Sequence, residues 1–222
     1  MRTISEWQRA AHELAVSKGF HDCRACQGTG WDEGKALKSA KRDCDDCTTC
    51  NGTKRADPHS PTRIASRLAL IHCEISEAVE CVARGRMELC WKLPPGTHLE
   101  VGQRVDCKAL GGKPEGFPIE LADVFLRVCD LAESLGVVIP EFGNSARVSD
   151  CEIPEEIAAE LAYLHQIVVR IQKAPTEPRR YGDLCTQLYF LGVWTGVDLL
   201  VMAELKHEYN KTRPIMHGGK LL

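Results

Sequence analysis

Two pairs of carboxylates at helical spacing are the residues best suited to do chemistry. Glu74 and Glu77 stand three positions apart in LALIHCEISEAV, and Glu120 and Asp123 have the same spacing in GFPIELADVFLRV. Residues at i and i+3 share one helix face, where like charges repel each other. Two such pairs brought together in a bundle would need a cation to neutralise them. Because oxygen ligands favour Mg²⁺ or Mn²⁺, the pattern indicates a divalent-metal site suited to phosphoryl chemistry.

Acids at this spacing also decorate the solvated faces of many helices, and that is the alternative for either pair alone. Here both pairs interrupt apolar runs, and they stand on consecutive predicted helices. Glu80, Arg127 and Asp130 continue the two polar stripes. The matched pairs therefore favour the metal site.

The C-terminal segment carries hydrogen-bond donors at helical spacing. Lys206, Asn210 and Arg213 recur at i, i+4 and i+7, and a glycine pair follows at 218–219. Arginine and lysine are suited to phosphate, and glycine lets backbone N–H groups approach an anion. The alternative is a solvated helix end whose cations offset the helix dipole.

A cluster of cysteines between residues 21 and 58 predicts a structural zinc site. Cys23 and Cys26 form one CxxC pair, Cys47 and Cys50 form a second, and each pair is followed by a residue and then glycine. Two such knuckles supply the four thiolates of a closed tetrahedral zinc site. Cys44 is spare, or replaces one of these ligands.

Apolar periodicity predicts helices over about 4–18, 61–86, 118–135, 153–173, 181–195 and 198–212, with little strand-like alternation. We therefore expect an all-α helical bundle that forms one domain over 1–222, with the zinc-binding insertion at 21–58. The extra helices of 150–200 are either a degenerate second copy of the preceding helix pair or a chance likeness. LALIH at 68–72 resembles LAYLH at 161–165, and Asp123 to Val137 aligns with Asp183 to Val197.

The stretches LIHCEISEAVECVARG, PEGFPIELADVFLRVCDLAESLGV and KHEYNKTRPIMHGGK resemble the MazG-like pyrophosphohydrolases, an all-α family. The resemblance covers about half the chain. It implies Mg²⁺-dependent cleavage of nucleoside triphosphates to the monophosphate and pyrophosphate, and assembly as a homo-oligomer, most simply a dimer.

The resemblance also implies roles for individual residues. The metal ligands would be Glu74, Glu77, Glu120 and Asp123, and the base that activates water would be Glu77 or Glu80. The substrate would be bound by Lys206, Asn210, Arg213, His217 and Lys220.

Composition narrows the other function classes. The net charge of −3 gives no overall attraction to nucleic acid, and no apolar run is long enough to span a bilayer. The N-terminal segment lacks the apolar core of a signal peptide, so we expect a cytoplasmic protein. The alternative functions are a zinc-dependent nucleic-acid or protein interaction module and a diiron carboxylate bundle. A diiron bundle requires two Glu-x-x-His helices, and one such string is present, at Glu204–His207.

Overall fold

The computed structural model describes residues 2–22, 57–97, 106–141 and 154–214. Over these residues the chain forms six helices and one short hairpin, which confirms the predicted all-α class. The elements are α1 Ile4–Ser17, α2 Pro61–Ala83, β1 Cys90–Lys92, β2 Lys113–Glu115, α3 Phe117–Ser134, α4 Pro154–Lys173, α5 Pro178–Trp194 and α6 Leu199–Thr212.

Local sequence signals determine where most of these helices begin. Before α1, the Thr3 hydroxyl accepts a hydrogen bond from the Glu6 backbone N–H, and the Glu6 carboxylate accepts one from Thr3 N–H. This reciprocal pair satisfies donors that a helix start would otherwise leave free. The Asp198 carboxylate caps α6 by accepting hydrogen bonds from the backbone N–H groups of Leu200 and Val201. Proline in the first turn, as at Pro61 and Pro118, suits α2 and α3 because its missing N–H has no helical partner there.

Helix α3 lies at the centre of the bundle and packs against α1, α2, α5 and α6. Most of its side chains are buried, and Phe117, Leu121, Phe125 and Val128 are fully enclosed. The remaining helix contacts join α2 to α4, α4 to α5 and α5 to α6, and β2 also contacts α3 and α6. Of the polar residues on α3, Glu120 is buried, and Asp123, Arg127 and Asp130 are half-buried.

The antiparallel hairpin of β1 and β2 lies in the long connection between α2 and α3, with Trp91 paired to Pro114. The sequence did not predict these strands. Gly116 joins the hairpin to α3 with a φ of 105°, and a Cβ there would lie 2.2 Å from the Glu88 carbonyl oxygen. Only glycine fits this close approach, which places the first turn of α3, with Glu120, beside the hairpin.

Among the described residues, no single helix is long and apolar enough to cross a membrane. Helices α5 and α6 taken together reach the required length and composition, with a bend of 105° between them.

Candidate functional site

Three of the four predicted ligand carboxylates meet between α2 and α3. Oxygen atoms of Glu74, Glu77 and Glu120 all lie within 4.8 Å of one another. Glu74 is 7% exposed and Glu120 is 9% exposed, whereas Glu77 is open to solvent. Glu74 and Glu120 are therefore the buried members of the group, and Glu77 is the accessible one.

Burial and mutual repulsion make these carboxylates hard to ionise. Burial is the largest cause that raises the pKa of Glu120, to about 7, and the charges of Asp123, Glu77 and Glu74 add to it. Burial also raises the pKa of Glu74, against the opposing charge of Arg127. In the absence of a bound cation, the cluster is thus under electrostatic strain near neutral pH.

Asp123, the fourth predicted ligand, lies beside this group and is paired with a cation. Its Oδ2 is 2.5 Å from Nζ of Lys206, which is only 4% exposed. The nearby charge of Lys206 also lowers the pKa of Glu120. The structure thus brings Lys206, predicted to bind substrate, to the carboxylates from α6.

Two further cations surround the cluster. Arg127, one turn after Asp123 on α3, places Nε 2.5 Å from Oε1 of Glu74. Lys113 reaches in from β2; burial would lower its pKa, but a hydrogen bond to Glu115 and the charges of Glu120 and Asp123 raise it.

The sequence could have revealed one of these cations but not the other. Arg127 follows Asp123 at i+4, so both residues stand on one face of α3, and the spacing predicted that they share a polar stripe. It did not predict the ion pair of Arg127 with Glu74. Lys113 stands in a connection without helical periodicity, where no local signal assigns it a role.

The other predicted site residues within the described ranges are Glu80, Asn210 and Arg213. Glu80 is exposed, and its Oε1 lies 2.7 Å from Arg84 and 3.8 Å from Arg86. Oδ1 of Asn210 is buried and has no hydrogen-bond partner among the described residues. The expected shared face of Lys206, Asn210 and Arg213 is wrong at its last member, because α6 ends at Thr212 and Arg213 is extended. The following Pro214 disfavours a helical conformation at that position.

The Glu-x-x-His string on α6 does not join the carboxylates. Glu204 accepts a hydrogen bond from Arg2 Nη1 at 2.6 Å. His207 is buried edge-on against Trp7, with ring centroids 5.9 Å apart. Both partners lie on the α1 side of the helix, so this string gives no support to a diiron site.

A second polar cluster joins α1, α2 and α3. Nδ1 of His12 and Nε2 of His21 lie 2.9 and 2.8 Å from Oδ1 of Asp130. Arg67 approaches both partners, with Nη1 3.9 Å from Asp130 Oδ2 and Nη2 2.7 Å from His21 Nδ1. Burial alone would raise the pKa of Asp130, but the hydrogen bonds to His12 and His21 and the charge of Arg67 hold it well below its ordinary value. Because Arg67 already balances the carboxylate, we interpret the cluster as a structural anchor.

Several predicted residues lie outside the described ranges. They are the zinc ligands Cys23, Cys26, Cys47 and Cys50, the spare Cys44, and the tail residues His217 and Lys220. Their predicted roles stay predictions.

Removing one buried charge from the cluster tests the strain directly. In metal-free buffer at pH 8, we expect Glu120→Gln to raise the free energy of unfolding by about 2 kcal/mol. This figure is smaller than the full effect of the raised pKa, because solvent partly screens the charge. Since the pKa is raised in the folded state, the gain should shrink as the pH falls from 7 towards 4.5. Urea unfolding over this pH range measures it. The exposed Glu80→Gln is the matched control, and equal effects of both variants would contradict a strained cluster.

The Asp130 anchor gives the opposite pH dependence. We expect Asp130→Asn to lower the free energy of unfolding by about 3 kcal/mol at pH 7, because it leaves the largely buried side chain of Arg67 without its counter-charge. The lowered pKa of Asp130 stabilises the folded state at pH values above the pKa of this group in the unfolded chain, about 3.9. The stability difference between the wild type and Asp130→Asn should therefore persist at neutral pH and vanish as the solution becomes more acidic. Chemical denaturation at several pH values checks this, with Glu133→Gln on the same helix as control. A difference that grows below pH 4 would contradict the ionised anchor.

Comparison with known proteins assigns no function to this site. Models of protein families, curated proteins and solved structures give no match to the chain. The function proposed for the protein therefore depends on the positions of its carboxylates and cations.

Proposed function

We propose that the protein is a Mg²⁺-dependent hydrolase that cleaves nucleoside triphosphates to the monophosphate and pyrophosphate. The observation that carries the proposal is the approach of the Glu74, Glu77 and Glu120 carboxylates to within 4.8 Å of one another. Lysines from two other elements adjoin this acidic group, as expected of a site that receives both a metal ion and a polyanion.

The donor set fits a hard divalent cation. Glu74, Glu77 and Glu120 offer oxygen atoms only, and Asp123 adds a fourth carboxylate at the edge. Oxygen ligands select Mg²⁺ or Mn²⁺ over metals that prefer nitrogen or sulfur. When bound, such an ion would polarise phosphate oxygens and lower the pKa of a coordinated water.

We assign the phosphates of the substrate to two lysines near the carboxylates. Lys206 is paired with Asp123, and Lys113 with Glu115, so both have an acidic partner when substrate is absent. Either could exchange that partner for a phosphate oxygen, since an ammonium group is a compact and movable charge. Arg127 holds Glu74 in place and acts as a positioning residue.

Glu77 is the better of the two predicted bases. It belongs to the carboxylate group and faces solvent, whereas Glu80 is engaged by Arg84 and Arg86. Glu77 would accept a proton from water as the water oxygen bonds to the α-phosphorus. The bond from that phosphorus to the bridging oxygen breaks, and pyrophosphate leaves with the electron pair.

The zinc-dependent interaction module is the alternative function. Such a module would use helices α2 and α3 as an inert scaffold. Two buried carboxylates would destabilise that scaffold without contributing to its function. Apolar residues of similar size would serve that scaffold better. The burial of Glu74 and Glu120 therefore favours the hydrolase.

Pyrophosphate release from a panel of ribo- and deoxynucleoside triphosphates tests the activity. We expect release by the wild type with Mg²⁺ and none with chelator. Glu77→Gln should lower kcat by a factor on the order of 100 or more, the usual contribution of a general base. Glu80→Gln should stay close to wild type. Loss of activity in Glu80→Gln alone would move the base to Glu80, and an inactive wild type would contradict the proposal.

Zinc content tests the predicted cysteine site separately. We expect one zinc ion per chain, bound by Cys23, Cys26, Cys47 and Cys50 and measured with a chromogenic chelator after denaturation. Cys47→Ser should lose this zinc, because three thiolates leave the tetrahedral site open. Retention in Cys47→Ser with loss in Cys44→Ser would show that Cys44 is the ligand instead.

A further inference from the structure

The helix pair α4–α5 repeats the construction of α2–α3. Positions 93 residues apart relate α2 to α4, as from LALIH to LAYLH, and positions 60 residues apart relate α3 to α5. Helices α2 and α4 begin at equivalent prolines, Pro61 and Pro154. Pro118 in the first turn of α3 corresponds to Pro178 at the start of α5.

The ends of α3 and α5 are also alike. Gly136 and Gly196 occupy equivalent positions with φ of 67° and 72°. Val137 N–H donates to the Ala132 carbonyl, and its counterpart Val197 N–H donates to the Gly192 carbonyl. The same C-terminal turn thus closes the second helix of each pair.

Core positions correspond between the two pairs. On α2 and α4 the buried equivalents are Ile64 and Ile157, Leu68 and Leu161, Ile71 and Leu164, and Ile75 and Val168. On α3 and α5 they are Leu121 and Tyr181, Val124 and Leu184, Val128 and Leu188, and Leu131 and Leu191. The same terminal turn also closes α1 and α2, at Gly19 and Gly85, and is common at helix ends. The likeness of the two pairs therefore rests on the aligned first-turn prolines and on buried positions that match at constant offsets of 93 and 60 residues.

The contact between the pairs has the form that a two-fold axis produces. His72 on α2 and His165 on α4 are equivalent residues, and their Nδ1 atoms lie 2.7 Å apart. Their rings stack with centroids 5.0 Å apart. An interface in which a residue contacts its own equivalent is the mark of two-fold symmetry.

We infer that α4–α5 is a degenerate copy of α2–α3, which fills within one chain the place that a second copy of this helix pair would take. Glu74, Glu77 and Glu120 are replaced by Ile167, Arg170 and Arg180, while Asp123 is retained as Asp183. The second pair therefore marks the position of a metal site that has lost its acids, and each chain carries one carboxylate site. The face of α2 that contacts α4 is occupied, so the expected homodimer would have to use another surface.

Restoring the acids tests the copy, and this test rests on the proposed metal site. The starting protein is Glu74→Gln, Glu77→Gln and Glu120→Gln, which should lose the Mn²⁺ binding of the wild type. Adding Ile167→Glu, Arg170→Glu, Arg180→Glu and Gln187→Arg should restore saturable binding, measured by electron paramagnetic resonance of free Mn²⁺. Gln187 is the counterpart of Arg127, so arginine there would pair with the new buried glutamate.

The matched control places three glutamates on neighbouring exposed positions of the same helices, as Val169→Glu, Lys173→Glu and Arg179→Glu in the same starting protein. It should bind no Mn²⁺ above that background. If the restored protein does not fold by circular dichroism, the milder pair Arg170→Glu and Arg180→Glu, with Asp183, should bind Mn²⁺ more weakly. If the wild type binds Mn²⁺ but the restored protein folds and binds no more Mn²⁺ than the control, the inference that α4–α5 is a copy of α2–α3 is overturned.

A second measurement does not depend on metal. In a Cys73→Ser background, His72→Cys and His165→Cys should form a disulfide within one chain, identified by peptide mass spectrometry and a monomeric band without reductant. A link between two chains, or none, would overturn the placement of α4–α5 against its own α2. If the wild type binds no Mn²⁺ but this link forms within the chain, the metal site fails and the internal pairing stands.

Discussion

The constraint on which the site depends is the burial of like charges between two helices. Glu74 and Glu120 are almost fully enclosed, and Glu77 lies within 4.8 Å of both. Carboxylates removed from water destabilise the fold unless cations or hydrogen bonds compensate for their lost hydration. Arg127 and Lys206 supply part of this compensation, but the pKa of Glu120 still stands at about 7. The remaining strain is what a divalent cation would relieve.

The rest of the fold holds these charges in place. Helix α3 is central, so α2 and α6 can approach it from two directions with Glu74 and Lys206. The hairpin reaches the same region through Gly116 and contributes Lys113. At the other end of α3, Asp130 connects the helix to α1 and α2. The proposed metal and phosphate site would need such support, because sites of this kind tolerate little displacement of their ligands.

Sequence patterns predicted the helices within a few residues, since apolar periodicity and first-turn prolines are local signals. They also predicted that Glu74, Glu77 and Glu120 would converge, because each pair shares one face of its helix. They could not show that Asp123 pairs with Lys206, since that contact joins residues far apart in the chain. The extended conformation of Arg213 was predictable from the following Pro214. The prediction of a shared helix face used helical spacing alone and did not take this proline into account. The hairpin strands are three residues long and show too little alternation to be recognised.

The second helix pair indicates why the acids are present. Ile167 occupies the position of Glu74 and is buried in the same way, at 2% exposure. An apolar side chain can therefore fill the position that Glu74 occupies in α2 when no charge is required there. If α4–α5 derives from the same ancestor as α2–α3, the fold does not need Glu74 for its stability. A buried acid at a position where isoleucine suffices is a cost to folding, and proteins commonly keep such costs where function depends on them. The comparison within one chain thus separates what the helix pair needs in order to pack from what the proposed cation site needs.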